Sequence, residues 1–439
     1  MKAGLSDSIV IVGAGAFGLS TALHLVRAGY TNLTVIEKGD SVPPRYSAAN
    51  DLNKIVRPEY EDKFYSDLTL KAMAAWKTPL FAPYFHQTGF LNCVSKSCPD
   101  RAVATMRRFQ ASAEKHPDIR PHVVPIQSRQ DILDQVWQFQ DGELPGWRGY
   151  LNRRAGYAQS ARALAAVYRE LRSKGVEFRL GPDCEVTQIV YGASSVDGTK
   201  AARGVTTKDD KFHSAGLVIV AAGAWVSQLI PEIGTQVDAK AWSVAHVKVT
   251  DDEASVLRDI PVTYARDLGF FFEPDPETNL LKLCPMGGGF VNSNAETGVS
   301  LPPDSYGRSA FMPKNDERKV RQLLAQTLPA LANRPLVSKA LCWFADTIDS
   351  DYIVDYVPKT SGSVLVVSGD SGHGFKMFPI VGSWVLDLLN AEDFQQYEAR
   401  WRWKARNLKV SGSDWGDEVS WRLGSTTEFS SIETDRSRL

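Results

Sequence analysis

The chain has 439 residues, 43% of them hydrophobic and 23% charged, a composition that fits two or three packed globular units and excludes a disordered or collagenous polymer. Fifty Lys and Arg against 51 Asp and Glu leave a formal charge of -1, so there is no electrostatic basis for expecting nucleic acid as a partner. Five scattered cysteines (Cys93, Cys98, Cys184, Cys284 and Cys342) form neither a disulfide framework nor a C-x-x-C metal spacing, which points to a reducing compartment, and no stretch approaches the roughly 18 consecutive apolar residues of a membrane helix.

In chain order, residues 8–12 are a β-branched apolar run expected as a parallel strand buried on both faces. Gly13-Ala14-Gly15-Ala16-Phe17-Gly18 follows and fits G-x-G-x-x-G. A helix is predicted over 19–28, stopped by Gly29, and a second strand over 33–36 delivers Glu37 about 20 residues beyond the motif, where a carboxylate can accept both hydroxyl hydrogens of an adenosine ribose. The first glycine permits the tight turn, the second lets backbone N–H groups approach a pyrophosphate, and the third allows close helix–strand packing. Glu37 disfavours a 2'-phosphate, which leaves NAD or FAD.

Further along, 158–173 reads as an amphipathic helix, and 176–180 and 186–190 read as strands. The apolar run 217–225 returns to the dinucleotide layer some 200 residues after it began, as flavoproteins often do. Phe270-Phe271-Phe272 alternates in a strand, so only one of its faces can meet a ligand. Lys282 sits in the strand-like run 280–284, where its simplest place is outward, and Cys284 is most simply a strand residue. Residues 286–289 lack the lysine and hydroxyl of a phosphate loop, and Cys342 by itself is most simply a small core residue. Near the end, Trp401-Arg402-Trp403-Lys404 reads as a helix end packing on the domain. Ser437-Arg438-Leu439 is a conservative form of the peroxisomal Ser-Lys-Leu address, whose reader would be the import receptor.

Five separated segments carry a resemblance: IVGAGAFGLSTALHLVRAGYTNLTVIEKG from Ile11, AANDLNKI at 48–55, GFFFEP at 269–274, LCWFADT at 341–347 and GDSGHGFKMFP at 369–379. In order and spacing the chain resembles the FAD-dependent amine oxidases of the sarcosine oxidase group, and within it the fungal amadoriases, or fructosyl amino acid oxidases. The resemblance implies FAD, with contacts at Gly13, Gly15, Ala16, Phe17, Gly18, Glu37 and Lys38, and at Ser47, Asn50, Asp51, Asn53 and Lys54. It adds Val186, Ala222 and Gly223, then Cys342, Asp370, Gly372, His373, Gly374, Phe375 and Lys376. It makes Cys342 the thioether anchor of the flavin 8α carbon, Lys282 the charge that supports reaction with oxygen, and Lys54 a second lysine beside the flavin ring. Substrate contacts are implied at Phe272, Met286, Lys376 and Arg422. His373 could serve as a base, although the family tolerates other residues there.

One departure stands out. The amadoriase glutamate that lies in the substrate pocket and pairs with an arginine is replaced here by Met286, with Arg422 as the candidate arginine, which favours a more apolar substrate or frees Arg422 for a substrate carboxylate.

The expected architecture is an α/β Rossmann-type FAD-binding domain (1–80, 148–235 and 340–400) with a mainly antiparallel β-sheet substrate domain (81–147 and 236–339) and a C-terminal segment (401–439). The expected reaction passes a hydride from a neutral secondary amine to flavin N5, with imine hydrolysis and electron return to oxygen as hydrogen peroxide, without a metal. N-methyl amino acids, saccharopine-like conjugates and a biosynthetic secondary amine remain alternatives to Amadori compounds. A NAD-dependent dehydrogenase and a non-catalytic flavin binder are the competing classes.

Overall fold

The computed structural model describes residues 4–193, 198–391, 398–404 and 424–436. Strand Ile9–Val12 is buried throughout and lies inside a six-stranded sheet, parallel to Leu33–Glu37 on one side and Leu217–Val220 on the other. Glu177–Leu180 and Val364–Ser368 extend the parallel order outward, and Ile353–Tyr356 closes one edge antiparallel. Parallel neighbours need long crossovers, which is why this sheet gathers strands from distant parts of the chain. Helix Ala16–Arg27 packs against helices Ser160–Ser173 and Val381–Asn390. The packing is close enough that a Cβ on Gly382 would lie 2.1 Å from the Ser20 carbonyl oxygen.

A ten-stranded sheet forms the second layer. Its spine is a pair of long antiparallel strands, Val237–Lys248 and Leu336–Thr347, flanked by Leu280–Pro285, Gly269–Phe271 and Val262–Ala265. Only the pairings of Val262–Ala265 with Phe90–Val94 and of Phe290–Val291 with Thr427–Glu428 are parallel. Side-chain alternation divides this sheet sharply. Phe271, Leu281 and Leu283 enter an outer core covered by helix Lys314–Thr327, while Phe270, Phe272 and Lys282 turn to the inner face.

Strand membership shifts two of the expected boundaries. Strand Arg148–Asn152 pairs with Phe90–Val94, so the chain leaves the large sheet after Asn152 rather than at 148. Leu336–Thr347 stays in the large sheet throughout, and the last part of the parallel layer begins at Ile353 rather than 340. The chain end also returns to the large sheet through Thr427–Glu428. Trp401 ends a short 3-10 turn rather than a longer helix, and packs on Trp384 with ring centroids 4.4 Å apart. Among the described residues, no helix is long and apolar enough to cross a membrane.

Candidate active site

One elongated cavity runs between the two sheets, from the glycine turn to Met286. At its first end, Gly13 has φ +107° and a Cβ there would lie 2.5 Å from the Ala221 carbonyl oxygen, so the turn requires glycine. Helix Ala16–Arg27 begins at Gly15 with no side-chain cap and no acid in its first turn, leaving N–H groups free beside Ala16 and Phe17, which line the cavity. Gly18 is a packing residue rather than a wall, because its Cβ would lie 1.9 Å from the Gly13 carbonyl oxygen. Glu37 accepts from the N–H groups of Ala14 at 2.9 Å and Gly39 at 2.8 Å; burial pushes its carboxyl upward against the pull of these donors. Lys38 lies 3.9 Å over the Trp225 ring, with Glu185 at 3.6 Å. Ser47, Val186, Ala222 and Gly223 complete this end.

The middle of the cavity is organised by charge. Asp51 accepts from Lys282 Nζ at 2.5 Å and from Lys54 Nζ at 2.8 Å, and Lys282 also donates to the Asn53 carbonyl at 2.7 Å. Burial raises the Asp51 carboxyl, but the two lysines overcome it and hold the group far below the usual carboxylate range. Lys54 is raised for the converse reason, since Asp51 outweighs its desolvation. Cys342 Sγ stands 4.0 Å from Lys54 Nζ, and its thiol is pushed up by burial although Lys54 draws it down. Cys284 is a buried strand residue raised to about 11 by burial. Asp370, also raised by burial to about 6, accepts from Gly372 N–H at 3.0 Å and Ala345 N–H at 3.3 Å. Two lining groups, Trp242 Nε1 and Ser368 Oγ, are buried without a hydrogen-bond partner.

The far end is aromatic and cationic. Arg57 lies 5.0 Å from the Tyr60 ring, and Lys376 Nζ donates to Tyr60 Oη at 2.8 Å and the His373 carbonyl at 3.0 Å. Burial, with Arg57 nearby, pushes the Lys376 ammonium well below its ordinary value. His373 Nε2 lies 2.8 Å from the Ser350 carbonyl, which can only accept, so Nδ1 carries the lone pair and accepts from Tyr60 or Tyr352, at 3.0 and 3.2 Å. His373 is thus a positioned part of the wall rather than a free base. Tyr264, Phe270, Phe272 and Met286 complete this end.

The family profile described as DAO, FAD dependent oxidoreductase, matches residues 8–388. This chain belongs to that family of FAD-dependent oxidoreductases. It is 33% identical over 436 residues to L-saccharopine oxidase of Schizosaccharomyces pombe, covering 95% of this chain and 96% of that protein. Monomeric sarcosine oxidase of a Bacillus species is 24% identical, with 87% of this chain and 92% of that protein covered. Among solved structures, fructosamine oxidase (Amadoriase II) from Aspergillus fumigatus in complex with FSA superposes with a TM-score of 0.86 at 30% identity, covering 98% of this chain and 97% of that one.

The cavity of this oxidoreductase fits FAD on its own chemistry. A bare helix N-terminus suits a pyrophosphate, Glu37 closes the adenosine end, and Trp242 Nε1 and Ser368 Oγ offer polar atoms still without partners. The lining includes most of the residues singled out from sequence, but not Gly18, Asn50, Asp51 or Asn53. Asn50 is exposed and faces a neighbouring cavity, while Asp51 and Asn53 act through Lys282. Lys282 is 1% exposed and points inward, so its simplest sequence reading is overturned: the carboxylate that makes burial tolerable comes from another segment. Arg422 lies outside the described residues. The sequence reading missed Arg57, Tyr60, Tyr264 and Trp242; the only signal for Arg57 was a cation directly after strand Lys54–Val56.

Removing the shared carboxylate would leave two ammonium groups confined together. Asp51→Ala is expected to lower the unfolding free energy by ~3–5 kcal/mol, with Asp51→Asn milder, in denaturant titrations of the holoenzyme. Because the folded carboxyl is held low, this contribution is present at neutral pH and is lost only as pH falls below the ordinary carboxylate range, so the wild-type and variant curves should converge in acid.

Proposed function

We propose that this FAD-dependent oxidoreductase is an oxidase of carboxylate-bearing secondary amines, N-substituted amino acids of the saccharopine class, with dioxygen as acceptor and hydrogen peroxide as product. The observation that carries the reading is the far end of the cavity, where Arg57 and Lys376 stand among Tyr60, Tyr264, Phe270, Phe272 and Met286. Among the described residues, the acidic groups that line the cavity are Glu37 and Glu185 beside the adenosine end and Asp370, which is occupied with backbone N–H groups. A substrate carboxylate there meets Arg57 and Lys376, whose charge is opposed, among the described residues, by the buried Glu59 behind the wall. The likeness to L-saccharopine oxidase supports the same class.

Bound FAD supplies an acceptor for the hydride and a donor of electrons to oxygen. The protein supplies the rest. Arg57 offers a planar fork to a carboxylate, and the entry of that anion restores charge to Lys376, so substrate binding and protonation of this lysine reinforce each other. Phe270, Phe272 and Tyr264 exclude water from the amine, whose lone pair must be free as its C–H bond breaks. Two lysines and one aspartate give the Lys54–Asp51–Lys282 cluster a net charge of +1, placed to stabilise negative charge that builds on dioxygen.

Cys342 lines the same cavity, and we assign to it a thioether to the flavin 8α carbon. Cys342→Ala should release its flavin on acid precipitation, whereas the wild-type chain should carry the added flavin mass; a wild-type mass spectrum without it would refute the attachment. Lys282→Met should slow reoxidation of the reduced flavin by ~10²-fold while changing anaerobic reduction far less, as read by stopped-flow absorbance. Equal slowing of both half-reactions would remove Lys282 from the oxygen step.

Met286 sets the choice between carboxylate and sugar. Sugar hydroxyls held against it lose water without gaining partners, at ~1–3 kcal/mol each, roughly 5- to 150-fold per group. The enzyme should prefer saccharopine to fructosyl glycine in kcat/KM, and Met286→Glu should narrow the gap. An efficient wild-type reaction with fructosyl glycine, unimproved by the glutamate, would show that Met286 does not set specificity.

The terminal Ser437-Arg438-Leu439 lies outside the described residues, and we propose it as a peroxisomal address read by the import receptor, which would place the peroxide beside catalase. Deleting these three residues should move the untagged protein from peroxisomes to cytosol, and an unchanged distribution on fractionation would refute the address.

A further inference from the structure

A second cavity, of about 350 Å³, lies behind the first. The two share a wall that includes Tyr46, Val244, Cys342 and Trp343. Lys54 and Lys282 line the first cavity and Asp51 lines the second, so the ion-pair cluster is itself part of the partition. Arg45, Asn50 and Ser338, which line the second cavity, are exposed, whereas Cys342 and His246 lie deeper, so the space leads from the surface to the back of the cluster.

His246 is the unusual group there. It stands opposite Lys282 in the strand register, is 8% exposed, and neither ring nitrogen makes a well-aligned hydrogen bond, although the Ser338 and Val337 backbone acts on the ring. Burial lowers its pKa, Lys282 adding to that effect and Asp51 and the Ser338 and Val337 backbone opposing it, and the neutral ring presents one donor and one acceptor. A buried imidazole with neither nitrogen well paired, in a roomy cavity, suits a small polar guest. Most of the remaining wall, including Leu52, Ala161, Leu280, Pro302 and Ala340, is apolar, with hydroxyl groups at Ser47, Tyr306 and Ser309.

We propose that this second cavity is the passage by which dioxygen reaches, and hydrogen peroxide leaves, the Lys282 side of the site, separate from the amine cavity. The inference rests on the oxidase reading above and extends it to the route taken by the second substrate. Dioxygen is small and makes weak hydrogen bonds, so apolar walls suit its entry, while peroxide, a donor and an acceptor at once, matches the His246 ring. In the step served, dioxygen takes two electrons from the reduced flavin and two protons, one carried by the reduced flavin and one from water, and departs as hydrogen peroxide. A separate passage keeps this exchange open while the amine or its imine product still fills the first cavity.

The test narrows the passage without touching the amine cavity. Ala340→Trp, and Ala161→Phe from a different element, place bulk in the second cavity alone. Crystals of the holoenzyme under xenon should show xenon in this cavity in the wild type and none in either variant. After photoreduction of the flavin without amine, the second-order rate constant for reoxidation by air should fall ~10-fold or more in the variants, with the oxidised flavin spectrum unchanged. An empty wild-type cavity under xenon, or wild-type reoxidation in a variant whose cavity is filled, would overturn the passage while leaving the oxidase reading intact. A reduced wild-type enzyme that air does not reoxidise would overturn the oxidase reading and the passage with it.

Discussion

A single buried carboxylate, Asp51, is shared by Lys54 and Lys282 at 2.8 and 2.5 Å, and the arrangement of the site depends on it. Lys282 belongs to a central strand of the large sheet, whereas Asp51 and Lys54 come from the segment that follows the parallel sheet's first two strands. Either lysine alone in this interior would be strongly disfavoured, and Asp51 alone would be protonated; together they remain ionised because each supplies the field the others need. The cluster thereby fixes how the two layers meet, and the cavity between them inherits one surplus positive charge.

That surplus continues toward the substrate end. Glu59, buried beside Arg57, accepts from Asn152 at 2.8 Å and Tyr150 at 3.2 Å; burial pushes its carboxyl upward, and Arg57 and these donors draw it down. Lys376 is driven toward neutrality by the same surroundings. A site built this way receives an anion favourably and a cation poorly, and the aromatic rings around it keep the field unscreened by water. In the proposed reaction, hydride removal and oxygen reduction would draw on this one pool of positive charge, with Cys342 in the wall shared by the two cavities.

Much of this was legible from local pattern. Periodicity and glycine placement identified the strand–turn–helix of the dinucleotide end, because a parallel strand buried on both faces and a turn with φ +107° restrict the residues that can serve. The alternation of Phe270, Phe271 and Phe272 likewise follows from strand geometry alone. The sequence patterns therefore determined a dinucleotide site, open to NAD or FAD, and the late return of residues 217–220 to the first sheet, while FAD itself came with the family resemblance.

What the tertiary structure alone decided is which side chains face one another. Lys282 reads outward until Asp51, 231 residues away, is seen against it. Whether His373 is a base or part of the wall is open until Ser350, Tyr60 and Tyr352 are seen to occupy its nitrogens. Arg57 carries only the faint signal of a cation after a strand and His246 none, since their burial and surroundings are set by segments that meet only in the folded chain. Electrostatics in a low-dielectric interior depends on distance in space rather than along the chain, so the fold had to be in hand before these charges had a meaning.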